Sequence, residues 1–371
     1  MSERRPIVLV SSAHELAGAE VYLLSLLEAL AGRVPLEVLA SDRAPAELYR
    51  RIAATGVAAT PVPGLARRPT VGATVRLARI LRRRRPALVH VNLSDQGDGL
   101  AAIAAARLAG APLSATLHIV LPERRAVLER VTRLALGQAR AVLAVSDAVG
   151  GYLAANGVRA TVVRNGVATP TVTADPRDQI GVSAGEFVVG GVGRLDGQKG
   201  WDLLCAAAVR VRQRVPGCRF VVIGEGRLRE ELAAAPGADL VEFIGYRERA
   251  AELIAGFDVL AVPSRYEGFG LVAVEAMLAG VPVVAAAVGG LPEVVGDAGL
   301  LVPPGDADAL ADALTTLALD GALRQRLAAA GGARARERFG HERMVEETLA
   351  AWDRAIGGAA ARPRLVDSVA T

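Results

Sequence analysis

From residue 7 to about residue 302, short apolar runs alternate with longer stretches in which apolar positions recur every three or four residues. Runs that are apolar on both faces suit strands buried between helical layers, and their alternation with helical patterns predicts parallel βαβ units. In the first half the pattern predicts strands near 7–11, 36–40, 58–62, 88–92, 113–118, 141–145 and 161–164. In the second half it predicts them near 187–192, 219–223, 240–244, 259–262, 281–285 and 299–302. The intervening stretch from Thr169 to Pro176 is polar, proline-bearing and without periodicity, which predicts a linker. After Asp306 only helical periodicity remains, near 306–318, 320–338 and 341–357, and the tail 358–371 is expected to fray. The expectation is an α/β chain of two doubly wound domains, 1–168 and 177–340, with a helix at 341–357 returning to the first. Ligands of such open sheets bind beyond the carboxyl ends of the strands, so a cleft between the two domains is the expected site.

Composition narrows the class. A length of 371 residues exceeds what one core usually supports, and 52% hydrophobic with 4% aromatic residues suits a globular protein. A net charge of +4, with no interleaving of basic and aromatic residues, argues against a nucleic-acid partner. The basic excess is local: Arg67, Arg68, Arg76, Arg79, Arg82, Arg83, Arg84 and Arg85 fall in a stretch with no acid. A solvated helix with cations at its negative end accounts for this segment, and the alternative is a patch for an acidic acceptor or a weak peripheral membrane contact running from Arg67 to Arg85. Cys205 and Cys218 have no metal or redox spacing and read as buried hydrophobes in a reducing compartment. The start of the chain enters a strand without a signal-peptide pattern, and the uncharged run at 276–292 is broken by Gly and Pro. A cytoplasmic protein is therefore expected.

Two segments carry the chemistry. After the strand at 259–262, the turn Tyr266-Glu267-Gly268-Phe269-Gly270 opens an apolar helix at Leu271, which Gly280 closes. Glycines in such a turn let backbone N–H groups approach a bound anion, and the helix N-terminus adds positive potential. Glu267 and Glu275 beside it would repel a phosphate, so they are better read as acceptors for neighbouring hydroxyls. A phosphate cradle flanked by hydroxyl acceptors describes a nucleotide-sugar site. The second segment is Gly193-Arg194-Leu195-Asp196-Gly197-Gln198-Lys199-Gly200, which holds the single lysine among 43 Lys and Arg residues. An ammonium is a compact point charge and a guanidinium a planar fork, so a lone lysine at this place points to a crowded phosphate. The bland alternative is an ion pair of Arg194 or Lys199 with Asp196 or Asp202.

With these residues in view, the chain resembles the GT-B glycosyltransferases of glycosyltransferase family 4, a retaining family. Glu267 and Glu275 match the family's Glu-x7-Glu pair. Arg194, Lys199 and Gly200 match its Arg-x4-Lys-Gly motif, and Ala17-Gly18-Ala19-Glu20 its glycine loop after the first strand. Weaker marks are Val145-Ser146, Arg164-Asn165-Gly166-Val167, Gly289-Gly290-Leu291-Pro292-Glu293 and Val302-Pro303-Pro304-Gly305-Asp306. The resemblance implies two Rossmann-like domains facing across a cleft and transfer of a hexosyl-type sugar from a UDP- or GDP-sugar. The hydroxyl acceptor would be a small molecule, lipid or glycan. It also implies roles. Arg194 and Lys199 would bind the diphosphate, Gly193, Gly226 and the N–H groups of Gly268, Phe269, Gly270 and Leu271 would hold the donor, Glu267 the sugar and Glu275 the ribose. His118 would reach the C6 side of the sugar or its leaving oxygen, and Gly18 would let the N-terminus of the first helix approach the donor or the acceptor. His14, Asn92 and Asp95 would line the acceptor pocket. No cofactor is implied, neither pyridoxal phosphate nor a required metal, with Mg2+ at most stimulatory.

Two motifs are decoys on this reading. Asp306-Ala307-Asp308 matches a metal-binding Asp-x-Asp but opens a helix, where Asp is a good cap. Gly224-Glu225-Gly226 mimics part of a dinucleotide fingerprint but lacks its third glycine. Three rivals remain: an oxidoreductase or epimerase, which would want a complete fingerprint near residue 10 and a Tyr-x3-Lys pair; a pyridoxal-dependent GT-B phosphorylase using the lone lysine; and a catalytically impaired sugar-nucleotide binder.

Overall fold

The structure, a computed structural model, describes residues 5–66, 70–122, 126–171, 174–183 and 185–357. Arg67, Arg68, part of the 169–176 stretch and the 358–371 tail lie outside these residues. The chain divides into two compact units, 1–166 together with 341–371, and 167–340.

The first unit is a seven-stranded sheet of β1 (Ile7–Ser11), β2 (Leu36–Ser41), β3 (Ala58–Val62), β4 (Leu88–Asp95), β5 (Leu113–Ile119), β6 (Ala141–Ala144) and β7 (Thr161–Val162), in the order β3-β2-β1-β4-β5-β6-β7. The second has six strands, β8 (Phe187–Val192), β9 (Cys218–Ile223), β10 (Val241–Phe243), β11 (Val259–Val262), β12 (Val283–Ala286) and β13 (Leu300–Val302), in the order β10-β9-β8-β11-β12-β13. Every strand pairing is parallel. Each order reverses once, between β1 and β4 and between β8 and β11, so each unit has the switch point of a doubly wound sheet.

Burial explains the strands. Val8, Leu9, Val38, Leu88 and Val89 are fully enclosed in the first sheet, as are Val188, Val189, Val221 and Val222 in the second. The helix Gly18–Leu30 turns Leu23, Leu26, Leu27 and Leu30 onto the first sheet, and the C-terminal helix His341–Ile356 adds Met344, Leu349 and Trp352 to the same core. In the second unit Trp201 and Leu204 of the helix Trp201–Arg214 pack with Phe220 and with Leu310 and Leu314 of the helix Ala307–Leu319.

Some boundaries differ from the sequence pattern, for identifiable reasons. β4 runs on to Asp95 through Asn92 and Ser94 because pairing with β5 continues to Asp95 opposite Ile119, although the apolar run has ended. The expected linker ends early. Asp175 caps a short helix, Pro176–Gln179, by accepting from the Arg177 N–H at 2.8 Å, and Pro176 occupies a first-turn position where proline is at home. Of the arginine-rich segment, the helix Val71–Arg84 commits Arg76 to the Pro63 carbonyl, Arg82 to the Leu108 carbonyl and Arg84 to Glu37. Asp306 caps the helix after it, accepting from the N–H groups of Asp308 and Ala309 at 3.0 and 2.8 Å, while Asp308 pairs with Arg210. Cys205 and Cys218 are buried and unbridged. Among the described residues no helix is long and apolar enough to cross a membrane.

Candidate active site

In the second unit, the turns that leave β8, β9, β11 and β12 are packed backbone to backbone. Gly200 sits in the left-handed region, φ 69°, and a Cβ there would lie 2.2 Å from the Pro263 carbonyl oxygen. Gly289, φ 53°, would place a Cβ 1.6 Å from the Glu267 carbonyl oxygen. The first contact presses the lysine turn onto the turn after β11, and the second presses the turn after β12 onto it from the other side. Hydrogen bonds complete the joint: the Arg265 N–H donates to the Gln198 carbonyl at 2.7 Å, and the Gln198 amide donates to the Tyr266 carbonyl at 3.2 Å. The β9 turn closes the group, with Leu195 N–H donating to the Glu225 carbonyl at 2.9 Å.

This packing sets the charges. Lys199 Nζ lies 2.7 Å from Glu267 Oε2, with side chains 16% and 12% exposed, and Ser264 Oγ donates to the same oxygen at 3.3 Å. Arg194 pairs with Asp196 at 3.1 Å and donates to the Gln198 side chain at 3.2 Å, with its own side chain 41% exposed. Asp202 is taken by Arg265 at 2.6 Å. The arginine thus forms the ion pair that was the bland alternative, whereas the lysine pairs with neither aspartate. Glu275 lies in the helix Leu271–Leu278 among Val274, Ala276 and Met277, all enclosed. The residue is half-buried, and burial raises its carboxyl from 4.5 to about 7 against the opposing charge of Lys199. Among the described residues the Glu275 carboxyl accepts no hydrogen bond, and the N–H groups of Gly268, Phe269 and Gly270 donate none. Gly270, at φ 104°, is the residue before the helix, and Phe269 is anchored beneath by an edge contact with Phe339 at 5.5 Å. The turn therefore offers open donors beside two carboxylates and an ammonium.

The first unit has its own group, at the ends of β1, β4 and β5. His118, 7% exposed, meets Asn92 Oδ1 through Nε2 at 2.7 Å, and the Asn92 amide donates to the Ala19 carbonyl at 2.9 Å. The second bond fixes which end of the amide faces the ring. Nε2 must therefore carry the proton, and Nδ1 is left with a lone pair. Burial pushes His118 down to about 3, helped by His90, so the ring is neutral at physiological pH. Gly18 is exposed at the first position of its helix. His14 is exposed in the turn after β1. Asp95 is buried and accepts from the Gly97 N–H at 2.7 Å.

The comparisons with known proteins fall on both groups. Residues 16–170 match the model of Glycosyltransferase Family 4, and residues 186–320 match that of Glycosyl transferases group 1. The 2-deoxystreptamine N-acetyl-D-glucosaminyltransferase of Streptomyces fradiae is 34% identical over 310 residues, 74% of each chain. The chain belongs to glycosyltransferase family 4, group 1. A D-inositol 3-phosphate glycosyltransferase of Mycobacteroides abscessus is 44% identical over 164 residues, 41% of this chain and 36% of that one. Among solved structures, Anabaena Alr3699/HepE in complex with UDP-glucose is 25% identical with a TM-score of 0.79, covering 93% of this chain and 99% of that one. The fold is GT-B, built of two Rossmann-like domains.

Within the glycosyltransferase, Arg194, Lys199, Glu267, Gly268, Phe269, Gly270, Leu271 and Glu275 form one group with Gly193 and Gly226 beneath. A Cβ on Gly226 would lie 2.5 Å from the Leu195 carbonyl oxygen, so Gly226 supports the arginine turn through its backbone. Asn92 needs a correction. It is 1% exposed with both ends of its amide engaged, so it holds His118 instead of meeting an acceptor. The sequence reading gave no role to Ser264, Gln198 or Glu20. Glu20 accepts from Ala17 N–H at 3.3 Å and closes the first turn of its helix, a spacing that the capping pattern could have revealed.

Glu275 yields a stability prediction. Its carboxyl is raised in the fold from 4.5 to about 7, so stability is lost as pH climbs from 4.5 through 7, because the unfolded chain ionises first. Glu275→Gln removes that ionisation. The variant is expected to melt higher relative to wild type at pH 8 than at pH 5, by roughly 2–4 °C for each kcal/mol recovered. A melting difference that does not change between the two pH values would mean that the carboxyl is solvated in the fold.

Proposed function

We propose that this glycosyltransferase moves a hexosyl-type sugar, with retention, from a UDP-sugar to a hydroxyl of a small polyol acceptor. The observation that carries the reading is Lys199, paired with Glu267 and acting electrostatically on Glu275, beside the open N–H groups of Gly268, Phe269 and Gly270. A diphosphate would take the lysine and the N–H groups, and Glu267, partly relieved of its partner, would accept sugar hydroxyls. The uncommitted carboxylate of Glu275 would accept those of the ribose. In the step itself the bond from C1 to the diphosphate oxygen breaks, and its electron pair leaves with UDP. The acceptor oxygen bonds to C1 on the same face, and its proton passes to a diphosphate oxygen. Negative charge grows on the diphosphate, where Arg194 and Lys199 stabilise it, and a contact of that kind is typically worth ~3–4 kcal/mol of barrier. No metal is needed for that charge in this reading. A neutral His118 with a bare Nδ1 accepts a hydrogen bond, so it suits the C6 hydroxyl of the sugar better than the leaving oxygen. UDP is favoured over GDP by the likeness to Alr3699/HepE, crystallised with UDP-glucose. A cyclitol-like acceptor is favoured by the names of the relatives, which act on 2-deoxystreptamine or D-inositol 3-phosphate.

The direct test supplies UDP-glucose or UDP-N-acetylglucosamine with 2-deoxystreptamine or inositol phosphate in EDTA, and reads the product by NMR. An α-linked product is expected. A β-linked product would refute retention, and activity that appears only with Mg2+ would refute metal independence.

Lys199→Arg keeps the charge but not the shape of the pocket. It is expected to lower turnover at least tenfold, roughly 1.4 kcal/mol of barrier. Wild-type turnover in the purified variant would remove Lys199 from the phosphate role.

The two glutamates should fail differently. Ribose contacts exist before and during the reaction, so Glu275→Gln should raise donor KM more than it lowers kcat. The sugar gains positive charge only as its bond breaks, so Glu267→Gln should act mainly on kcat. Steady-state kinetics with varied donor read both, and the same pattern in the two variants would refute separate sugar and ribose roles.

A further inference from the structure

A buried polar chain runs from the C-terminal helix to the ring of His118. Trp352 Nε1, a donor only, donates to His90 Nδ1 at 3.0 Å. His90 is neutral, pushed down to about 3 by burial, so its proton sits on Nε2 and is donated to Thr116 Oγ1 at 3.2 Å. Ser114 Oγ also donates to Nδ1, at 2.8 Å. Tyr22 Oη lies 3.4 Å from Thr116 Oγ1 and 3.4 Å from Thr348 Oγ1 of the C-terminal helix. The Tyr22 ring then meets His118 edge to face, with centroids 4.8 Å apart and an interplanar angle of 65°. Tyr22, His90, Thr116, Thr348 and Trp352 are all enclosed.

We propose that Tyr22 is a positioning residue for His118, and that Thr348 of the C-terminal helix holds Tyr22 in place. His118 has two constraints, Asn92 on Nε2 and the steeply inclined Tyr22 ring packed against its own. Both originate on the helix Gly18–Leu30, the first through the Ala19 carbonyl and the second through Tyr22 itself. A tethered hydroxyl fixes the tilt of the tyrosine ring, and with it the plane in which the His118 Nδ1 lone pair is presented. Without that tether, the enclosed hydroxyl would seek other partners and the ring would shift. The proposal rests on the reading of His118 as a sugar-contacting group.

The test compares Tyr22→Phe, Thr348→Val, Thr348→Ser and His118→Ala, with the double variant Tyr22→Phe/His118→Ala, on whichever UDP-sugar supports transfer. Tyr22→Phe and Thr348→Val are expected to lower kcat about tenfold with donor KM unchanged, Thr348→Ser to restore it, and Tyr22→Phe to add nothing to His118→Ala. Additive losses in the double variant, or wild-type kcat in both hydroxyl deletions, would overturn the proposal. The chain has only 4 histidines, so ring 15N signals can be assigned by substitution. They are expected to show His118 protonated on Nε2 and shifted in Tyr22→Phe; unshifted signals would overturn the positioning role. Wild-type kcat in His118→Ala with shifted signals in Tyr22→Phe would refute the catalytic reading of His118 and leave its positioning by Tyr22 standing.

Discussion

Backbone contact between the turns that leave β8, β11 and β12 is the constraint on which the group of Lys199, Glu267 and Glu275 depends. Turns normally keep a side chain's width apart, yet here carbonyl oxygens sit where a Cβ at Gly200 or Gly289 would be. Only glycine permits that approach, and at both positions the positive φ asks for glycine as well. The consequence is that Lys199 and Glu267, 68 residues apart in sequence, meet at 2.7 Å without either being on a long flexible loop. A pair held by four interlocked turns has little freedom left to lose when a ligand arrives, and preorganised charge is what a developing anion needs.

The two cations of this group are held to different degrees, and the difference fits what each would do. Arg194 is 41% exposed and pairs with Asp196 across a screened gap, an interaction that contributes ~0–1 kcal/mol. A diphosphate can displace it at little cost. The lysine pair is far more enclosed, so removing either partner alone would leave a charge poorly solvated. On the proposed reading, Glu267 would need new donors once Lys199 turned to phosphate, and sugar hydroxyls would supply them, so that sugar and diphosphate together would replace one ion pair.

Much of this was readable from the residues. Among the described residues, β1, β11 and β12 follow from apolar runs, because a strand covered on both faces has no polar register to hide it. The second-unit group was readable too, since its contacts lie within motifs whose glycines, lone lysine and carboxylates are each unusual for their surroundings. The first-unit group was not. Asn92 looks like an exposed polar residue at the end of a strand, and only the pairing of β4 with β5 beyond the apolar run shows that it is buried behind His118. Tyr22, Thr116, Thr348 and Trp352 look like ordinary members of amphipathic elements. Their chain joins residues 326 and 262 positions apart, and no local pattern announces a hydrogen bond over such separations.

The two units thus solve the same problem with opposite physics. The second holds charged groups near the surface and fixes them through backbone packing, so its chemistry is written in glycines and in the identity of one cation. The first also buries Asp95 and Asp98, but the groups that reach His118 are neutral and are fixed in the interior through hydrogen bonds, because an unpaired buried hydroxyl or imidazole costs about 1–3 kcal/mol. Such a chain tolerates little substitution at any link, but it has no charge to screen and no solvent to compete with. Two neutral imidazoles, both lowered to about 3, follow from that choice. A histidine held neutral at ordinary pH offers a fixed lone pair, whereas one titrating near 6.5 would alternate between donor and acceptor. The burial that makes His118 a poor general acid is what makes it a dependable hydrogen-bond acceptor.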